Sequence, residues 1–146
     1  MTLYYFGNLR VDQQLAEMHR LEGEGVCLFC PEHLSTSSEV LHRTPRWTVV
    51  PNRYPYRETR LHLLLVPDEH VTDMADLSEE AQRDFWTALR WVKIHYGLNH
   101  YGLAARNGDS EFTGGTIRHL HVHLLQGDVD DPTHQGVRVR LSSRPA

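Results

Sequence analysis

Three histidines, His119, His121 and His123, alternate with Leu120, Val122 and Leu124 shortly after the glycine pair Gly114-Gly115. Strict alternation is the pattern of a β-strand with one buried apolar face, so the three imidazoles share the opposite face. Successive rings then stand roughly 6.6 Å apart, and the outer two about 13 Å apart, at about 3.3 Å of rise per residue. Neighbouring rings can act on one group, whereas a single metal cannot readily take all three. Histidine is a poor filler for an open strand face but a good base, nucleophile or ligand near neutral pH, so the row points to chemistry. The Gly114-Gly115-Thr116 turn ahead of it suits an anion, because glycines let backbone N–H groups approach closely and a threonine hydroxyl adds a donor.

Other residues stand out less sharply. Both cysteines fall in Cys27-Leu28-Phe29-Cys30, a spacing that suits a metal knuckle or a redox pair, with buried free thiols as the plain alternative. His62 interrupts the apolar run 61–67; alone, such a histidine is more often a hydrogen-bonded core residue than a catalyst. The loop 52–60 carries Arg53, Arg57 and Arg60, which make either a phosphate-facing rim or a solvated loop whose tyrosines pack on the sheet.

The elements that must position these residues follow from local pattern. A short β-rich run is expected at 3–6. A helix starting at Asp12 carries Leu15 and Met18 on one face and stops at Gly23 and Gly25. A polar loop at 35–38 precedes strands at 40–42 and 47–50, split by a turn at Thr44-Pro45. Residues 61–67 form the next strand. The clearest helix runs from a Ser78 cap, through Glu79 and Glu80 at its positive end, to Lys93, His95 and the stop at Gly97; Phe85, Leu89, Val92 and Tyr96 mark its core face, with Ala81 and Ala88 beside them. Strands at 101–106, 119–125 and 137–141 and an acidic loop at 127–136 complete the chain, with 142–146 as a loose tail. One dominant helix among mostly antiparallel strands is an α+β arrangement.

The 146 residues suit one domain, 1–146, and the 40% apolar content supports an ordinary globular core. A formal charge of −4 offers no global field for nucleic acid or an anionic membrane. Without a long apolar run or a leader-like start, the chain is expected to be cytoplasmic. No phosphate-binding loop of the GxxxxGK type and no dinucleotide fingerprint is present.

The run His119-Leu120-His121-Val122-His123-Leu124-Leu125 resembles the histidine triad (HIT) signature. The resemblance extends upstream to Asn52-Arg53-Tyr54-Pro55-Tyr56, His62-Leu63-Leu64-Leu65-Val66-Pro67, His70-Val71 and Asp76-Leu77-Ser78, and covers residues 27–126. It implies a HIT-like fold: a mainly antiparallel sheet of about five strands with one long helix and a shorter N-terminal helix. Cys27, Cys30 and His70 further resemble the zinc-bearing branch shared with galactose-1-phosphate uridylyltransferases and dinucleoside polyphosphate enzymes. There His119 would complete a closed, structural zinc site.

The resemblance also implies roles. His121 matches the nucleophile that attacks the α-phosphorus of a nucleotide, and His123 and His62 match the flanking active-site histidines. Asn107, Gly114, Gly115 and Thr116 match the phosphate-holding positions and Asn52 the ribose-contacting one. Transferase branches carry glutamine where this chain has His123, which favours hydrolysis of a nucleoside phosphoramidate or dinucleoside polyphosphate. No catalytic metal is implied, the partner is a small-molecule nucleotide, and the family is usually homodimeric. Two other classes remain open: a nucleotide-binding module without turnover, and a mononuclear metalloenzyme ligated by His121, His123 and His62.

Overall fold

The computed structural model describes residues 2–8 and 12–143. Its centre is a five-stranded antiparallel sheet of β1 (His42–Arg43), β2 (Trp47–Pro51), β3 (Thr59–Pro67), β4 (Gly102–Ala105) and β5 (Val122–Gly127), in the spatial order β1-β2-β3-β5-β4. The sequence expectation of an α+β, mainly antiparallel fold with one long helix holds. The helices are α1 (Asp12–Glu24), α2 (Pro31–Ser37), α3 (Glu79–His95) and the short α4 (Ser110–Thr113). Among the described residues, no helix is long and apolar enough to cross a membrane.

The sheet is covered on both faces, which explains why β3 reads as a continuous apolar run. Leu63 and Leu65 join Trp47, Val49 and the α3 residues Ala81, Phe85, Ala88, Leu89 and Val92 in one core. Leu64 and Val66 face the other way, into a second core with Tyr4, Met18, Leu21, Phe29 and Leu34. A strand buried on both sides cannot show a polar alternation. The two layers are joined by β3, which pairs with β2 through Leu65↔Val49 and with β5 through Leu64↔His123.

Helix α3 forms as its ends predict. The Ser78 hydroxyl accepts the Ala81 N–H at 3.1 Å, Glu79 and Glu80 occupy the first turn, and Lys93 and His95 the last. Gly97 lies beyond it at φ +60°, where a side chain would be strained. The Trp47 indole N–H donates to the Ala81 carbonyl at 2.7 Å, tying this first turn to the sheet. Ser78→Ala is expected to cost about 1 kcal/mol, read as a lower urea midpoint at unchanged slope; an unchanged midpoint would show that the cap contributes nothing.

Several local expectations change. Residues 3–6 do not form a strand; Tyr4 makes a single bridge to Ile117, and Phe6–Asn8 is a 3-10 turn. Of the loop expected at 35–38, residues 35–37 belong instead to α2, which Ser38 caps; its signals are Pro31 in its first turn, Glu32 beside it and a buried Leu34. Residues 137–141 are irregular and join no strand of the sheet. Of the tail expected at 142–146, residues 144–146 lie outside the described residues, while the Ser143 N–H donates to the Phe112 carbonyl at 3.1 Å.

The histidine strand starts later than its alternation suggests, at Val122. Before it, the chain is held by partners outside the ladder: Tyr5 N–H bonds to the Thr116 carbonyl, Arg118 N–H to Leu3, and Leu120 N–H to Val71. The alternation itself survives. Leu120, Val122 and Leu124 are buried on the α3 side, while His119 and His123 are buried on the other.

Tyr4 fastens this N-terminal segment. Its hydroxyl donates to the Val26 carbonyl at 2.6 Å and accepts the Leu28 N–H at 3.0 Å. Burial pushes its phenol up to about 12. A raised pKa contributes stability that is present below the unfolded value near 10 and is lost as pH rises through the folded one. Stability should therefore fall between pH 10 and 12, and Tyr4→Phe should flatten that slope while lowering stability at pH 8; an unaltered alkaline slope in the variant would remove Tyr4 as the source.

Candidate active site and metal centre

Cys27 and Cys30 lie just ahead of α2, with Cys30 at its N-cap, His70 follows β3, and His119 precedes β5. Their ligand atoms all lie within 4.8 Å of one another. The Cys27 Sγ to His119 Nδ1 distance is 3.5 Å, Cys30 Sγ to His70 Nδ1 3.3 Å, Cys30 Sγ to His119 Nδ1 3.7 Å and His70 Nδ1 to His119 Nδ1 3.1 Å. A tetrahedral zinc with the usual bond lengths places S···N edges at about 3.6 Å and N···N edges at about 3.3 Å, so the donor set fits one such ion. His119 Nε2 lies 2.8 Å from the Pro67 carbonyl, which keeps the proton there and turns Nδ1 toward the cluster. Burial pushes the His119 imidazole down to about 4 and the Cys30 thiol up to about 12, each favouring the uncharged form. A cation held here would exchange with thiol protons.

His119 also serves the next triad member. Its carbonyl accepts the His121 Nδ1–H at 2.8 Å, which leaves the lone pair on His121 Nε2. His121 lines a cavity of about 1080 Å³, and the Phe29 ring stands edge-on at 4.9 Å. Burial, and secondarily the Arg106 charge, push the imidazole down to about 4, while its bond to His119 acts the other way. A neutral ring with an accessible lone pair is the form that can attack an electrophile.

His123 lines the same cavity, and His62 stands behind it. The Tyr56 N–H donates to His62 Nδ1 at 3.0 Å, so a neutral His62 carries its proton on Nε2, 2.8 Å from His123 Nδ1. The order of protons then places the His123 proton on Nε2, where the Arg106 guanidinium also stands at 3.2 Å. Two donors face one another there, an arrangement that suits an anionic oxygen accepting from both. Arg106 is further fixed through the Tyr56 hydroxyl at 3.0 Å and the Arg140 carbonyl at 2.8 Å.

Gly114, Gly115, Thr116 and Asn52 line the cavity as well. Gly114 takes φ +87°, and a side chain at Gly115 would meet Ser110 Oγ at 3.3 Å and Arg106 Cδ at 3.4 Å. The Asn52 carboxamide accepts the Tyr54 N–H at 2.8 Å, and its Nδ2 stands 3.2 Å from His62 Nε2. Asn107 is not in the cavity wall; its Oδ1 accepts the Met74 N–H at 2.7 Å, holding the segment ahead of α3. The adjacent Arg106 occupies the site instead, and sequence reading missed it. Its signal was register: Ala104 pairs with His123, so residue 106 continues the face beside the triad. Asn8 was missed too. It is buried, and its amide donates to the Gly115 carbonyl at 2.8 Å and to Ser110 at 3.0 Å, bracing the glycine turn. Among the described residues, His62, His121 and His123 do not make a second cluster of converging metal donors.

Fold and site together define an α+β protein that presents an imidazole pair to an arginine-rich cavity, braced by a two-cysteine, two-histidine cluster. The HIT domain profile matches residues 34–130, well over half of the chain, and the chain belongs to the HIT family. Among solved structures it is similar to a HIT family hydrolase from Clostridium thermocellum, at 25% identity, covering 77% of this chain and 96% of that one with a TM-score of 0.58. It is also similar to the diadenosine triphosphate hydrolase of Plasmodium falciparum (20% identity, 64% and 63% covered, TM-score 0.52) and to a zinc-bound histidine triad family protein from Mycobacterium smegmatis (16% identity, 77% and 82% covered, TM-score 0.55). No curated protein sequence matches the chain. Its fold is that of the HIT hydrolases.

Proposed function

We propose that the protein hydrolyses a nucleoside 5′-phosphate derivative, a phosphoramidate or dinucleoside polyphosphate, through a nucleotidyl-histidine at His121. The observation that carries this reading is the His121 ring itself: Nδ1 is bound to the His119 carbonyl at 2.8 Å, and the ring opens onto the cavity between His123 and the Gly114-Gly115 turn. His121 Nε2 forms a bond to the α-phosphorus as the bond to the leaving group breaks, and the leaving group departs with the electron pair. The His123 Nε2–H and Arg106 donate to the phosphoryl oxygens as charge grows on them, with His62 orienting His123. Gly115 and Thr116 hold the same phosphate, and Asn52 approaches the ribose. Water then cleaves the P–N bond and releases the nucleoside monophosphate.

Cys27, Cys30, His70 and His119 hold a zinc ion in this reading. With four protein ligands it has no position left for substrate, so its contribution is structural. The supports are the donor set, its spacing and the Pro67 contact that orients His119. The chain is further read as a homodimer joined at the β4 edge, where Gly102 and Leu103 are exposed; light scattering that found only monomer at micromolar concentration would count against it.

The test of the reaction is intact-protein mass spectrometry after brief mixing with adenosine 5′-phosphoramidate or diadenosine tetraphosphate. A transient gain of one AMP moiety is expected. Turnover without an adduct, dependent on added divalent metal, would favour a metalloenzyme, and AMP binding without turnover would favour a binding module.

A further inference from the structure

The HIT domain match ends at residue 130, yet the chain beyond it returns across the cavity without helix or strand. Besides the Ser143 bond to Phe112 and an Arg140 Nη1 bond to Asn8 Oδ1 at 3.4 Å, three contacts anchor it. The Gln135 N–H donates to the Glu58 carboxylate at 2.9 Å. The Arg140 carbonyl accepts Arg106 Nε at 2.8 Å. The Ser143 hydroxyl accepts the Gly114 N–H at 3.2 Å. Each anchor grips a residue of the cavity wall. Glu58 is also the one non-glycine residue with a positive φ among the described residues, at 71°. A Cβ on Gly114 would stand 3.1 Å from the Arg140 carbonyl oxygen, so that glycine is what lets the segment lie so close.

The crossing adds charge. Arg138 and Arg140 enter a wall that already contains Arg53, Arg57 and Arg106. Among the described residues only two carboxylates line it, and both are engaged: Glu17 with Arg53 at 2.8 Å, and Glu58 with His134 at 3.1 Å as well as with Gln135. No carboxylate among the described residues pairs with Arg138 or Arg140. In a chain whose net charge is −4, the cavity therefore runs to the opposite sign. The reacting phosphate is already served by His123, Arg106 and the glycine turn. Arg138 and Arg140 bring two further guanidinium groups to the same cavity, so they suit additional phosphates of a chain.

We infer that residues 135–143 are a substrate-binding arm, and that Arg138 and Arg140 on it select a leaving group made of a phosphate chain over a neutral amine. The inference rests on the nucleotidyl-histidine reading of the site. In the selected step the His121 Nε2–P bond forms and the bridging P–O bond breaks. The bridging oxygen leaves with the electron pair as a terminal oxygen of the departing phosphate chain, beside the arm's guanidinium groups. The chain's far end is either free or capped by a second nucleoside.

The experiment compares kcat/KM of the wild type with Arg138→Ala/Arg140→Ala on adenosine 5′-tetraphosphate, diadenosine tetraphosphate and adenosine 5′-phosphoramidate. The double variant should lose at least about tenfold more on the two phosphate-chain substrates than on the phosphoramidate, with the excess loss shrinking in high salt. Whichever tetraphosphate loses more tells whether the chain end is free or capped. Equal losses on all three overturn the inference. Wild type inert on every substrate would sink the hydrolase reading instead, and the arm is then judged by calorimetry with inorganic tripolyphosphate. Binding by the wild type that weakens about tenfold in the double variant upholds the arm; no binding, or equal binding by both, overturns it.

Discussion

His121→Ala should abolish the AMP adduct and lower turnover by about 10³-fold or more, while the melting temperature stays within about 3 °C of wild type. The expectation follows from the ring's position. His121 borders the cavity and is not a member of either buried core, so its removal enlarges an existing space without opening one among packed side chains. Among the described residues, its ring hydrogen bond is to the His119 carbonyl, which the main chain carries whatever residue stands at 121. Chemistry is affected differently, because no other group offers an unprotonated nitrogen at that place: His123 Nε2 faces Arg106, and His62 lies behind His123. His123→Ala would be the informative companion, leaving the adduct possible but slow. A His121→Ala protein that still acquired AMP would move the nucleophile elsewhere.

Removing the metal should have the largest effect on stability. Stripping zinc with a strong chelator, or replacing Cys27 by serine, is expected to lower the melting temperature by about 10 °C or more, because binding at such a site contributes directly to folding. The four ligands come from the α2 entry, the turn after β3 and the approach to β5, so the ion would cross-link segments 92 residues apart in sequence. Without it, two thiols and two imidazoles crowd a space where the nitrogens of His70 and His119 stand 3.1 Å apart. Activity should fall as well, since the His119 carbonyl orients His121. Readdition of zinc should restore both properties in the wild type but neither in Cys27→Ser. An identical melting curve before and after chelation, with metal loss verified by mass spectrometry, would refute the structural role.

What was legible in the sequence was what short-range pattern controls. Alternation placed the three histidines opposite Leu120, Val122 and Leu124, and the Ser78 cap with its terminal charges fixed α3. The two-cysteine spacing and His70 were visible as a possible cluster through resemblance, and the donor atoms do converge. What was not legible depends on pairing between distant segments. The start of β5 is set by the N-terminal segment, through Tyr5 to Thr116 and Leu3 to Arg118, contacts that no local window contains. Residues 137–141 alternate like a strand, but Arg138, Val139 and Arg140 all line the cavity, Leu141 is 62% exposed, and no strand pairs with the segment. Asn107 drew attention by family resemblance, whereas the charge that reaches the histidines belongs to its neighbour Arg106.

Strand β3 carries His62 near one end and the Pro67 carbonyl at the other, with His70 three residues beyond. A slip of one residue against β5 would turn every side chain of the strand to the wrong face. His62 would leave His123, and the metal ligands would lose their common point. The two centres are thus read off a single ruler, and misregistered chains would lose both together. A metal ion captured by Cys27, Cys30, His70 and His119 would, by the same alignment, report that His62 and His123 are in register as well, so metal uptake would act as a proofreading step for assembly.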